Sequence, residues 1–255
     1  MFTIAARLTQ RQKNFGSAPI LDHKNHNELF HRFTRTMILS INKGLVVGYK
    51  RRAIATLTED MHFAGGEATL LLGLNGQGKT TFMKTLAGLI PPVAGTVARI
   101  RSLYLSDEVD FPENLTPMEI IRSLDSLGKY RQIGAELLGD LEVPNKKYRQ
   151  LSKGNRQKAR IAFAEVVSAN RSVPLLEMDE PFSGLDFQAR EYLVDRWLGK
   201  KHEGRHLLVS LHPSEIPVVP NQILLVSNGN IFSVEPGMSW TEIRERLREP
   251  LAVTV

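Results

Sequence analysis

The chain has no cysteine among its 255 residues, which excludes a disulfide framework. It has no apolar run near the roughly 18 residues that a membrane-spanning helix needs, and its N-terminus lacks the continuous apolar core of a secretory signal. A large charge of one sign is missing from most of its length. The formal net charge is +6, but residues 1 to 36 hold six Lys/Arg against two acids, which leaves 27 against 25 over the other 219 residues. So nearly neutral a body argues against nucleic acid, and no nucleic-acid partner is expected. What is present, 42% hydrophobic and 24% charged residues, suits a globular protein with one or two cores.

Residues 1 to 36 are polar, carry His23, His26 and His31 and show little periodicity, so they are expected to form a basic, flexible tail. Three histidines at spacings of three and five suggest a metal site, but no acid-rich or thiol set accompanies them. Met37 opens a strand-like pattern and is a candidate for the true start of the protein.

The chain is organised around Gly73-Leu74-Asn75-Gly76-Gln77-Gly78-Lys79-Thr80-Thr81, which fits G-x-x-x-x-G-K-[ST] without a mismatch. The short apolar run Ala68-Thr69-Leu70-Leu71-Leu72 precedes it and the helix-forming Phe82 to Ala87 follows, so the loop lies between a buried strand and a helix N-terminus. Glycines let the backbone bend around a polyphosphate, with successive N–H groups and the helix start aimed at the anion. Lys79 then reaches the β- and γ-phosphates and the Thr80 hydroxyl ligates Mg²⁺. The plainer alternative is a glycine-rich turn that binds nothing.

Upstream, Leu45 to Tyr49 and Ala53 to Leu57 read as short strands. Tyr49 is either a half-buried strand aromatic or a ring that stacks on a base. Downstream, Gly88 and Pro91-Pro92 stop the helix, Gly95 to Ile100 resumes extended structure, and Ser102 to Leu105 forms another strand. Between Asp107 and Gln150 the composition turns helical, with Thr116-Pro117-Met118-Glu119 as a helix start. Ser152 is a plausible N-cap for an amphipathic run from Arg156 to Ala169. Val173 to Met178 is an apolar strand ending in Asp179 and Glu180, positions from which such acids hold Mg²⁺ and orient the attacking water. Ser183 to Asp186 forms a turn and Phe187 to Leu198 a helix. Leu207 to Leu211 is a buried strand delivering His212 at its carboxyl end, where open α/β sheets bind ligands. Asn228-Gly229 marks a hairpin between Ile223 to Ser227 and Ile231 to Val234, and Ser239-x-x-Glu242 is a capping box for a last helix.

In this order, the residues from Met37 to Pro236 resemble the nucleotide-binding subunit of ABC transporters. The resemblance implies an α/β P-loop NTPase fold: a mainly parallel core sheet flanked by helices, a small antiparallel β subdomain and an inserted helical subdomain at about 107–151, within an ATPase domain of 37–255. It places Tyr49 as the adenine-stacking aromatic. It makes Gly73, Asn75, Gly76, Gly78, Lys79, Thr80 and Thr81 the Walker A contacts to ATP, Asp179 the Mg²⁺ residue of Walker B, and Glu180 the catalytic base. Ser183 to Asp186 looks like the D-loop and His212 like the switch histidine, with Glu180, His212 and Lys79 as the catalytic set. Leu151 to Asn155 looks like the signature loop, so Ser152 and Gly154 would act on the nucleotide of a second ATPase subunit packed head to tail, a homodimer being the simplest arrangement.

Three positions depart from that pattern. Asp107 stands where the Q-loop glutamine is usual and remains able to hold Mg²⁺ through water. Lys153 replaces a signature glycine, adding a cation near the γ-phosphate, as in exporter-type relatives. Glu177 sits inside an apolar strand, where a buried carboxylate needs a partner or a raised pKa. The function implied is that of an ATP- and Mg²⁺-dependent ATPase on the inner face of the cell membrane, cytoplasmic and peripheral, driving a separate membrane-spanning permease. The short helical subdomain and lack of a sizeable C-terminal regulatory domain favour export. The alternatives are a soluble ABC-type ATPase acting on nucleic acid or ribosomes, and a nucleotide-binding module that no longer turns over. If Met37 is the start, intact-mass measurement of protein made in its native context will read a chain shorter by 36 residues; a mass including them refutes the assignment.

Overall fold

The computed structural model describes residues 36–125, 128–199, 204–212, 222–234 and 238–248. Residues 1–35, nearly all of the expected tail, lie outside these. The first four strands are β1 (Met37–Ile41), β2 (Val46–Tyr49), β3 (Arg52–Leu57) and β4 (Met61–Ala64). Strand β5 (Ala68–Gly73) follows, then helix α1 (Lys79–Leu86) and β6 (Ser102–Leu105). Helices α2 (Pro117–Leu124), α3 (Arg131–Asp140) and α4 (Lys153–Asn170) come next. The remainder is β7 (Leu175–Asp179), α5 (Phe187–Gly199), β8 (His206–Leu211), β9 (Gln222–Ser227), β10 (Asn230–Ser233) and α6 (Trp240–Arg248).

The larger sheet has the order β2-β3-β10-β9-β5-β8-β7-β6. From β9 to β6 every pairing is parallel, and β10 and β2 add the antiparallel pairings at the other side. Strands β1 and β4 form a separate antiparallel pair. Strands β5, β7 and β8 are buried at every position, as near-continuous apolar runs covered on both faces must be. The period of two divides their side chains. Leu71, Leu175, Leu208 and Leu224 pack with Phe82, Met83 and Leu86 of α1 on one face. Leu70, Leu72, Leu176, Met178 and Val209 pack with Ile161 of α4 and Leu193 and Trp197 of α5 on the other. A third cluster joins Ile120 and Ile121 of α2, Leu137 of α3, and Phe163 and Val166 of α4 around Tyr148.

Local signals account for most boundaries. The Thr116 hydroxyl accepts from the Glu119 N–H while Glu119 accepts from the Thr116 N–H, and Ser239 with Glu242 repeats this reciprocal cap at the start of α6. The Ser152 hydroxyl accepts from the Asn155 N–H, so α4 begins at Lys153, three residues before the apolar periodicity starts. Asn228 and Gly229 both adopt positive φ, the backbone that a two-residue hairpin requires. Lys50 and Arg51 do the same between β2 and β3 without a glycine or asparagine.

Two expectations need correction. The run Gly95 to Ile100 joins no ladder; only Ala94, just before it, makes an isolated bridge, to Val46. Strand β4 was not foreseen, because four residues give too little alternation and its partners in β1 lie 20 to 27 residues away.

Helix α3 crosses its neighbours at Gly134, where an added Cβ would lie 2.6 Å from Ile121 Cδ1 and 3.0 Å from Val166 Cγ2. Gly→Ala inside a helix ordinarily gains up to about 1 kcal/mol of propensity, but overpacking costs about 1–3 kcal/mol. Gly134→Ala is therefore expected to lower the urea midpoint with an unchanged slope. A raised midpoint would show that packing here is loose.

Candidate nucleotide site

Because β5, β8, β7 and β6 run parallel and in register, their carboxyl ends emerge along one edge. Leu72 is level with Leu211, Ser210 with Asp179, and Met178 with Leu105. The loop at 73–81, His212, the Asp179-Glu180 pair and Asp107 all follow these ends, at the crevice where open α/β sheets bind ligands.

The loop's backbone is possible only with glycine at particular places. Gly78 has φ +109°, and a Cβ there would meet Ile54 Cγ2 at 2.8 Å. Gly73 passes so close to β9 that a Cβ would lie 2.7 Å from the Val226 carbonyl oxygen. Helix α1 then starts with no side-chain cap and no acid in its first turn, leaving its first N–H groups for an anion. The Gln77 side chain accepts from the Asn228 N–H at 3.1 Å, tying the loop to the β9–β10 hairpin. Thr80 is half-buried at the second helical position, and Thr81 is buried with its carbonyl taken by the Thr85 hydroxyl.

Lys79 is only 4% exposed, and its ammonium donates to the carbonyls of Gly73 and Leu74 at 2.9 and 3.4 Å. It also lies 3.4 Å from Glu180 Oε1. The phosphate-loop cation and the strand-end acid thus meet, although more than a hundred residues separate them.

Asp179 is held by two hydroxyls, Tyr104 donating to one carboxylate oxygen at 2.7 Å and Ser210 to the other. Ser210 also accepts from the Glu180 N–H at 2.9 Å, so one side chain fixes both acids. Burial, then the adjoining Asp179 carboxylate, push the Tyr104 hydroxyl far above its ordinary range and keep it a donor. Glu180 adopts φ +48°, a left-handed conformation sparsely populated by non-glycine residues. Glu177 is fully buried and neither of its carboxylate oxygens has a hydrogen-bond partner. Burial pushes its carboxyl well up; the nearby Ser102 hydroxyl opposes this and Asp179 adds to it.

The other candidates lie around this centre. Tyr49 is 44% exposed at the end of edge strand β2, held there by a bulge at which a Cβ on Gly48 would overlap the Arg52 carbonyl. Ser152 caps α4 and Gly154 lies in its first turn. A Cβ on Gly154 would stand 2.7 Å from the Gly184 carbonyl oxygen, so the start of α4 touches the 183–186 turn. Asp186 pairs with Lys158 of α4 at 2.6 Å and caps α5 through the Ala189 N–H. Half-buried His212 follows β8 directly. Asp107 is exposed two residues beyond the end of edge strand β6, which pairs with the strand that carries Asp179. The residues just after it are tethered, Glu108 to Lys84 at 3.2 Å and Asp110 to Arg160 at 3.4 Å.

Tyr104, Ser210, Gln77, Gln157 and Lys158 escaped the sequence reading. Ser210 carried a signal, a hydroxyl inside an apolar strand, and Tyr104 carried none beyond its place before Asp107. Among the described residues no three His, Asp or Glu side chains gather as a metal cage. Mg²⁺ takes one or two protein ligands and fills its shell with phosphate oxygens and water, and the Thr80 hydroxyl and the Asp179 carboxylate are of the oxygen types it takes.

Residues 58–183 match the ABC transporter family model. The chain is 32% identical over 187 residues to the cytochrome c biogenesis ATP-binding export protein CcmA of Dechloromonas aromatica, covering 64% of this chain and 86% of that protein. It is 31% identical over 152 residues to the zinc import ATP-binding protein ZnuC of Vibrio vulnificus, covering 57% and 56%. Relatives of this kind are matched over 55% to 86% of their own length, several below two thirds. A solved ATP binding subunit of an ABC transporter superposes with a TM-score of 0.65 at 25% identity, over 83% of this chain and all of that one.

The two occupations of Asp186 are separable. Lys158 first, then the Ala189 N–H, hold its carboxyl below the usual range. Asp186→Asn keeps the cap and loses a half-exposed ion pair worth under about 1 kcal/mol, whereas Asp186→Ala also loses the cap, about 1 kcal/mol more. Because the folded pKa is depressed, the ionic part is present above the ordinary carboxylate range and disappears as pH falls through the lowered value. Urea titrations at neutral and acid pH check both points; an Asn variant as unstable as the Ala variant would mean the cap is idle.

Proposed function

Because the chain belongs to the ATP-binding family of ABC transporters, whose members are ATPases, we propose that it binds Mg²⁺·ATP at 73–81 and hydrolyses it to drive a separate membrane-spanning permease. The observation that carries this reading is the meeting of Lys79 with Glu180, and of Asp179 with Ser210, at one strand edge. Arriving β- and γ-phosphates would replace the Gly73 and Leu74 carbonyls and the Glu180 carboxylate as partners of the Lys79 ammonium. That exchange frees Glu180 to accept the proton of an attacking water. The α1 N–H groups neutralise charge at the bound phosphates, and Tyr49 has the exposure needed to stack on the base. Thr80 and Asp179 would hold Mg²⁺, which would supply charge neutralisation at the phosphates.

In a head-to-tail dimer Ser152, Lys153 and Gly154 at the start of α4 would reach the partner's γ-phosphate, with His212 sensing it in cis. Of the described residues, no helix is long and apolar enough to cross a membrane, so translocation would belong to another subunit and this chain would sit peripherally at the inner face. Likeness to the export protein over most of its length supports export, and likeness to import proteins supports the opposite direction over a shorter span.

Glu180→Gln is expected to keep ATP binding and slow hydrolysis by about 10²–10⁴-fold, the usual contribution of a positioned general base. Hydrolysis at the wild-type rate would remove Glu180 from this role. Affinity purification from membranes of its own cell should recover a multi-span partner; full ATPase activity without membrane association would refute the transport reading.

A further inference from the structure

The Asp179 carboxylate is bracketed from two neighbouring strands. Tyr104 of β6 reaches one oxygen at 2.7 Å and Ser210 of β8, level with Asp179 in the ladder, reaches the other. An ionised carboxylate offers about four lone-pair sites, so these two bonds set its plane and leave the remaining sites turned out of the sheet. The Tyr104 ring packs against an apolar cluster that phenylalanine would serve equally. Its hydroxyl is the costly part, since a buried O–H needs a partner, and Asp179 is that partner.

We propose that Tyr104 and Ser210 are positioning residues for the metal: their hydroxyls hold Asp179 in the orientation from which it serves Mg²⁺ beside the nucleotide. This rests on the assignment of Asp179 to the metal. Tyr104 also stands on the strand that leads into Asp107, so the same bond joins the metal side of the site to the tethered 107–110 segment. A ligating carboxylate whose orienting partner is removed typically loses about 10–100-fold in metal affinity, through a wider spread of orientations.

The test uses the full chain carrying Glu180→Gln to prevent turnover, with Mn²⁺ as the probe and free Mn²⁺ read by electron paramagnetic resonance in the presence of ATP. Tyr104→Phe should weaken Mn²⁺ binding by about 10–100-fold, while ATP binding in excess EDTA stays unchanged, a split that a purely structural bond between β6 and β7 would not produce. Ser210→Ala should do likewise and Ser210→Thr should retain affinity. Mn²⁺ binding that is unchanged or tighter in Tyr104→Phe overturns the proposal. If that variant does not fold, equal affinities of Ser210→Ala and Ser210→Thr overturn it. Asp179→Asn separates the two levels: if it binds Mn²⁺ normally, the metal assignment itself falls. If it loses Mn²⁺ while the hydroxyl variants keep it, only the positioning role falls.

Discussion

Everything at the site depends on β8 lying between β5 and β7. With strands about 4.8 Å apart, that single insertion sets the phosphate loop and the acid-bearing strand about 10 Å from one another, a gap suited to a metal and two phosphates. It also places Ser210 level with Asp179, where its hydroxyl joins both acids. The long Lys79 side chain crosses the gap from the other side to reach Glu180. Remove the parallel register and the same residues would emerge at different heights.

Several features of this edge are locally unfavourable. Glu180 holds a left-handed backbone, Glu177 is buried without a partner, and the start of α1 is uncapped. Such costs, of order 1–3 kcal/mol each, persist because the surrounding core over-determines the backbone. Leu71, Leu175 and Leu208 beneath α1, and Leu72, Leu176 and Val209 beneath α4 and α5, hold the strands from both faces.

Helix α4 adds a mechanical link. Its first turns contact the segment after Walker B three times: Gly154 against Gly184, the Gln157 amide donating to the Pro181 carbonyl, and Lys158 paired with Asp186. The start of α4 and the loop carrying Glu180 are consequently one packed unit. Asp186 serves that unit as cap and counter-ion in this conformation.

Much was legible in order along the chain. The phosphate loop, the reciprocal caps at Thr116 and Ser239, and the Asn228-Gly229 hairpin are local patterns whose physics is complete within a few residues, so sequence alone determined them and the parallel α/β class. It also exposed Glu177 as a misfit. The Lys50-Arg51 turn lacked the usual residues, and Gly95 to Ile100 had strand composition but no neighbouring edge to join. Which strand lies beside which, that Ser210 and Tyr104 grip Asp179, and that Asp186 faces Lys158 were decided only in three dimensions. These contacts join residues 28 to 75 positions apart, and hydrogen bonds of that kind depend on strand order and register, which no short stretch of sequence contains.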